Sequence, residues 1–205
     1  MNKVAIIDYG MCNLDSIARA VQECGGSAVV TDRREDLRQA SHVVLPGVGA
    51  FPNAMRNLES GSLPEVLRDE VVEKQIPILG ICLGMQLLAT TGHELEHTAG
   101  LGLIDGEVNR LCPSNGERVP HVGWNEVHYT GEDCPLFDGI PEGTDFYFVH
   151  SFHFSPVAST HVLGRTPHSG NFTSVVGRDL IFGVQFHPEK SQGGGFQVLR
   201  NFLAI

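Results

Sequence analysis

The chain has 205 residues, a formal net charge of −10, and 41% hydrophobic against 19% charged residues. That length suits one sizeable α/β domain over residues 1–205 and is short for two. The acidic balance argues against nucleic acid and against an anionic membrane, because binding phosphates needs a basic surface.

KVAIIDY (3–9) reads as a buried strand, and NLDSIARAVQECG (13–25) as a helix with Asn13 as N-cap and Gly25 as stop. SAVVT (27–31) and HVVLPG (42–47) read as further strands around a helical RREDLRQA (33–40). A helical stretch over 53–75 leads to the strand IPILGI (76–81) and a helix LGMQLLATT (83–91). Continuous apolar strands separated by helices mark a parallel sheet covered on both faces. The second half changes character: EVNRL, RVPHVGWNEVHYT, DFYFVHSFHF, HVLGRT and TSVVGRDLIFGVQF are β-rich, and some of these strands are expected to be antiparallel. GGFQVLRNFLA (194–204) closes the chain as a helix. The expected architecture is α/β, an open, mixed but mostly parallel sheet flanked by helices.

Five cysteines (12, 24, 82, 112, 134) with no C-x-x-C pair suit a reduced cytosol better than a disulfide framework. The opening MNKVAIIDYG holds too short an apolar run for a signal-peptide core, and no stretch approaches membrane-spanning length. The expected location is the cytoplasm.

A buried free cysteine is usually a small hydrophobe. Cys82, however, falls where strand becomes helix, between two glycines in GICLG (80–84). That is the pattern of a nucleophile elbow, G-x-S-x-G, with cysteine in place of serine. Side chains at the flanking positions would block the turn. Backbone N–H groups at such a turn favour the thiolate, the nucleophilic form.

A thiolate nucleophile needs a base, and His187 in GVQFHPEKS follows an apolar strand, at the end where open sheets place their sites. Pro188 restricts His187 to extended conformations, and residues i and i+2 of an extended chain point the same way. Glu189 is thereby expected near His187, completing a Cys-His-Glu triad. LPGVGAF (45–51) offers a glycine-rich turn at another strand end. Amides around Val48 and Gly49, beside that of Leu83, are candidates to face a developing oxyanion.

GICLGMQLL, VVLPGVGAF and GVQFHPEKS together resemble the triad-type, class I glutamine amidotransferases, with motifs in the family's order over essentially the whole chain. DYGMCNLDSI, VPHVGWNEV and DFYFVHSFHF resemble, more narrowly, glutaminase subunits of imidazole glycerol phosphate synthases. The resemblance implies a flavodoxin-like sheet and hydrolysis of glutamine to glutamate and ammonia, with no cofactor and no metal. It implies that Gln86, Glu94 and the segment His150, Ser151 and Phe152 contact the glutamine, and that the turn at Val48 flips to present its amide. It further implies a separate (β/α)₈ cyclase subunit, with Asn13 and the segment containing Pro120, His121, Trp124 and Asn125 at or near the interface. For Trp124, the only tryptophan, simple core packing is the alternative.

Two other readings compete. HELEHTAG (93–100) satisfies H-E-x-x-H-x-x-G, close to a zinc-protease signature. Gly92 and the TAGLG run bracket it with helix breakers, and Leu103 stands where a third histidine belongs. The FHF ending of the HSFHF stretch and the glycine-rich tail after HPEKS point instead to a paralogous subgroup. That subgroup pairs with a cyclase-like barrel to aminate a surface-sugar precursor.

Overall fold

The computed structural model describes residues 2–114, 116–130 and 134–205. Its first half alternates β1 (Lys3–Ile7), α1 (Leu14–Glu23), β2 (Ser27–Thr31), α2 (Arg34–Arg38) and β3 (His42–Leu45). Two helices, α3 (Phe51–Ser60) and α4 (Leu63–Arg68), then precede β4 (Ile78–Ile81) and the short α5 (Leu83–Leu87). The second half is strand-rich: β5 (Thr91–Gly92), β6 (Thr98–Ala99), β7 (Gly106–Arg110), β8 (His121–Tyr129), β9 (Thr144–His150) and β10 (Phe152–Pro156). β11 (Val162–Thr166), β12 (Phe172–Arg178), β13 (Ile181–Val184) and α6 (Gln192–Leu203) complete it.

Nine strands form one mixed sheet in the order β2-β1-β3-β4-β13-β12-β11-β8-β9. The first five are parallel, in the 2-1-3-4-5 order of flavodoxin-like doubly wound sheets with β13 in fifth place. The remaining four add on as antiparallel neighbours. After their first residues, Lys3 in β1 and His42 in β3, the central strands run apolar because alternate residues serve opposite faces. Ala5, Ile7, Val43, Leu45 and Ile78 pack with α3 and α4 residues on one side. Val4, Ile6, Val44, Leu79 and Ile81 pack with α1 and α6 residues on the other.

Three expectations need correction. The helical stretch over 53–75 is two helices followed by a π-turn over Asp69–Glu73. Ser62 takes a left-handed φ of 55°, and Pro64 in the first turn of α4 has no N–H with which to continue α3. The helix after Cys82 ends at Leu87, because Thr91 joins a small second sheet, β10-β7-β5-β6, that the sequence reading lacked. DFYFVHSFHF is two strands in different sheets: His150 pairs with His121, whereas Phe152 pairs with Arg110. The chain changes sheet at Ser151. Asn13 does occupy the N-cap position of α1, but its side chain makes no capping hydrogen bond, and Gly25 beyond the helix adopts φ +91°.

Candidate active site

Cys82 lies between β4 and α5 with φ 55° and ψ −110°, a conformation that costs a non-glycine residue on the order of 1–3 kcal/mol. The surroundings impose it. The Cys82 N–H donates to the Val184 carbonyl (2.8 Å), and the Gln86 N–H donates to the Cys82 carbonyl (3.3 Å). Both neighbouring glycines are required by space. A methyl group on Gly84 would run into the Leu45 carbonyl, and one on Gly80 would sit 2.6 Å from the Gly84 carbonyl oxygen. The turn thus presents a cysteine that the sheet holds in a strained, unique direction.

His187 follows β13, its backbone N–H donating to the Tyr147 carbonyl at 2.9 Å. Its Nδ1 lies 2.9 Å from Glu189 Oε1, and the two side chains are only 4% and 2% exposed. The pairing arises differently from the expectation. His187 is extended, but Pro188–Lys190 forms a 3-10 turn, and this turn, not a continued extended chain, brings Glu189 back to the imidazole. Ser191 locks it, donating to the His187 carbonyl (2.6 Å) and accepting the Tyr147 N–H (3.0 Å).

Burial alone would push the His187 pKa down; the neighbouring Cys82 sulfur and the hydrogen-bonded Glu189 carboxylate outweigh burial and raise it to about 9. His187 Nε2 is buried and has no hydrogen-bond partner among the described residues. It is therefore available to a group arriving at the sulfur.

A cavity of about 290 Å³ opens over the sulfur, a size for an amino acid rather than a larger ligand. Its walls include Val48, Gly49, Cys82, Leu83, Gln86, Glu94, His150, Ser151, Phe152 and His187. Leu83 is the first residue of α5, so its N–H has no acceptor within the helix. Gln86 is buried, and its amide nitrogen donates to the Phe152 carbonyl and to Gln185 Oε1, both at 2.9 Å, which leaves its carbonyl oxygen for a ligand. Glu94 Oε2 accepts the Phe51 N–H (2.7 Å) at the start of α3.

Several expectations fall on other ground. The Val48 N–H donates to the Met11 carbonyl (2.9 Å), so that amide is not aimed at an oxyanion in this structure. His121 is only 8% exposed and packs among other histidines. Trp124 is 48% exposed against Tyr147, which removes the core-packing alternative for it. Pro120 follows a cis peptide at the start of the same strand, and Asn125 donates to the Pro167 carbonyl at 3.2 Å. Asn13 lies beside a small recess shared with Pro46, Val48, His187 and Lys190. His93–His97 forms an irregular turn with Leu95 at φ +63°, not the helix a zinc signature needs, and His93 pairs with Glu107 at 3.3 Å. Among the described residues no group of three His, Cys, Asp or Glu side chains is placed to hold a metal ion, and no helix is long and apolar enough to cross a membrane.

The sequence reading missed Gln185, Val149 and Met11. Gln185 is fully buried and its amide reaches Cys82 Sγ at 3.7 Å; the Val149 carbonyl lies 3.9 Å from the same sulfur. An amide inside the apolar run LIFGVQF was the available signal for Gln185. Val149 and Met11 act through backbone carbonyls, which no side-chain pattern reveals.

Residues 5–205 match the family of class-I glutamine amidotransferases. The chain is 49% identical to the imidazole glycerol phosphate synthase subunit HisH of Moorella thermoacetica, over 98% of this chain and 94% of that one. It is 46% identical to the subunit of the same name from Ruegeria pomeroyi, over 97% of each chain. Its fold also superposes on a glutamine amidotransferase crystal structure with a TM-score of 0.77 at 19% identity, covering 98% and 97% of the two chains. The chain belongs to the class-I glutamine amidotransferases, within the family of imidazole glycerol phosphate synthase HisH subunits.

Proposed function

We propose that this chain hydrolyses glutamine with Cys82, His187 and Glu189 and delivers the ammonia to a cyclase subunit of imidazole glycerol phosphate synthase, in histidine biosynthesis. The observation that carries the reading is the buried 2.9 Å His187–Glu189 pair beside a strained Cys82 at the base of a cavity of amino-acid size. The sulfur attacks the side-chain carboxamide carbon, and the amide nitrogen leaves as ammonia with the proton from His187. Acylation removes the influence of Cys82 that helps hold the proton on His187. The ring is then a base for the water that cleaves the thioester to glutamate. Glu189 holds the ring in the tautomer that leaves Nε2 for this traffic. The Leu83 amide is one oxyanion donor; the Val48 amide becomes the other once it leaves Met11.

The cyclase, a (β/α)₈ barrel in this reading, docks on the outer face of β8 and β9. There Val122, Trp124 and Val149 expose 56%, 48% and 38% of their surfaces as one apolar patch, with Pro120 just before β8; Asn125 lies on the same strand, and Asn13 lines the recess beside His187 and Lys190. The barrel joins the ammonia with a ribulosyl-aminoimidazole-carboxamide nucleotide, giving imidazole glycerol phosphate and an aminoimidazole ribonucleotide.

The test is intact mass and peptide mapping after exposure to diazo-oxo-norleucine, with and without the cyclase carrying its nucleotide. A single adduct on Cys82, formed faster with the loaded cyclase, is the expected result. Labelling of Cys82 that ignores this cyclase keeps the chemistry and removes the partner; no adduct on Cys82 overturns both.

A further inference from the structure

His121 and His150 belong to different parts of the reading above, one on the strand assigned to docking and the other in the cavity wall. The structure joins them. His121 Nδ1 lies 3.0 Å from His150 Nε2, and both residues are buried, at 8% and 6% exposure. His150 Nδ1 lies 2.8 Å from the Phe152 carbonyl oxygen, and Asn125 Nδ2 lies 3.2 Å from His121 Nε2.

The proton positions in this chain have one solution. The Phe152 oxygen only accepts, so His150 carries its proton on Nδ1, and its neutral Nε2 must accept. His121 therefore donates from Nδ1 and accepts at Nε2. Asn125 meets that demand because two backbone groups orient its amide: Nδ2 faces the Pro167 carbonyl at 3.2 Å, and Oδ1 takes the Glu126 N–H at 2.9 Å. Every link runs in the same sense, from β8 to the corner where the chain changes sheet. The Phe152 oxygen that ends the series also takes the Gln86 amide, whose second hydrogen goes to Gln185, and Gln185 reaches Cys82 Sγ.

We infer that His121 is a positioning residue of the glutamine pocket: by donating to His150 Nε2 it fixes the tautomer in which His150 Nδ1 grips the Phe152 carbonyl, and so sets the Ser151–Phe152 corner and Gln86. The inference rests on the glutaminase reading for what the pocket binds, but the tautomers themselves do not depend on it. Burial, the first cause in each case, pushes His150 down to about 3 and His121 to about 4, so both rings are neutral when the enzyme works. The neighbours reinforce this. His168, tilted against His121 at 4.2 Å, and His153 beside His150 push in the same direction, and Glu117, 3.5 Å from His168, only partly offsets them at His121.

Nitrogen-15 spectra of histidine-labelled full-length chain report the tautomers directly. Both His121 and His150 are expected as neutral rings protonated at Nδ1 down to about pH 5. Kinetics with the cyclase subunit bound then separate positioning from packing. His121→Phe keeps the ring volume and removes the donor, and is expected to raise the KM for glutamine about tenfold with a much smaller change in kcat. His121→Asn places an amide N–H where Nδ1 stood and is expected to stay within about threefold of the parent. A His121 ring protonated at Nε2, an unchanged KM in the Phe variant, or equal losses in both variants overturns the assignment. Failure of the parent complex to turn over glutamine would overturn the glutaminase reading and leave the tautomer result standing.

Discussion

On one side of Cys82 the machinery is complete: His187 and Glu189 are buried, 2.9 Å apart, and held by Ser191, Tyr147 and a 3-10 turn. On the other side the Pro46–Gly49 turn is held back from the sulfur, with the Val48 N–H on the Met11 carbonyl and the Tyr9 hydroxyl on the Pro46 carbonyl. The difference teaches where control resides. On the proposed roles, an assembled triad beside an oxyanion donor that is turned away makes a slow enzyme in isolation, its rate limited by one peptide unit. That unit is half exposed at Val48, close to Asn13 and to the face assigned to the cyclase. The same proposal ties ammonia release to a partner able to receive it.

The largest expected effect comes from damaging the finished side. Glu189→Gln preserves shape but lets the amide favour the wrong imidazole tautomer, and kcat in the loaded complex should fall on the order of 10³–10⁴-fold. A loss below about tenfold would mean that Glu189 is a structural partner only. The same side sets the alkaline limit. The His187 pKa is raised, from 6.5 to about 9, so its proton is present through neutral pH and lost as pH rises through 9. Turnover limited by ammonia departure should therefore hold steady from pH 7 to 8.5 and fall about tenfold per unit well above 9. The ionic pair's contribution to stability has the same sign: full below the ordinary histidine value and gone above the raised one. A rate that keeps rising beyond pH 10 would remove His187 as the acid.

The parts legible in the sequence were those with local causes. The elbow could be read because both glycines flank Cys82 in sequence, although Gly84 is required by the Leu45 carbonyl of the neighbouring strand. The parallel strands could be read because double-sided burial leaves an uninterrupted apolar run, as in VAII and VVL. What failed depended on distant partners. Nothing in DFYFVHSFHF says that its halves pair with β8 and β7 in separate sheets, and nothing in PHVGWN says that His121 turns inward to meet His150 while Trp124 stays out. The Met11–Val48 contact joins two backbone groups 37 positions apart and leaves no trace in residue type.

The smallest effect tests the held side. Tyr9 is buried, and its hydroxyl donates to the Pro46 carbonyl at 2.8 Å, with the Cys12 thiol on the same oxygen at 3.4 Å. Gly47 has no room for a side chain, since a Cβ there would meet the Tyr9 hydroxyl. Tyr9→Phe removes one hydrogen bond worth about 1 kcal/mol from the resting turn and leaves the ring packing in place. If the resting turn limits the isolated chain, weakening it by that amount should raise the partner-free glutaminase rate by up to about fivefold. The cyclase-bound rate should stay the same, because the partner has already moved the turn. Measured together, the two rates separate the cases: equal losses in both would make Tyr9 part of the scaffold that the active turn also needs, and a gain confined to the free chain would locate the brake between Tyr9, Met11 and Pro46.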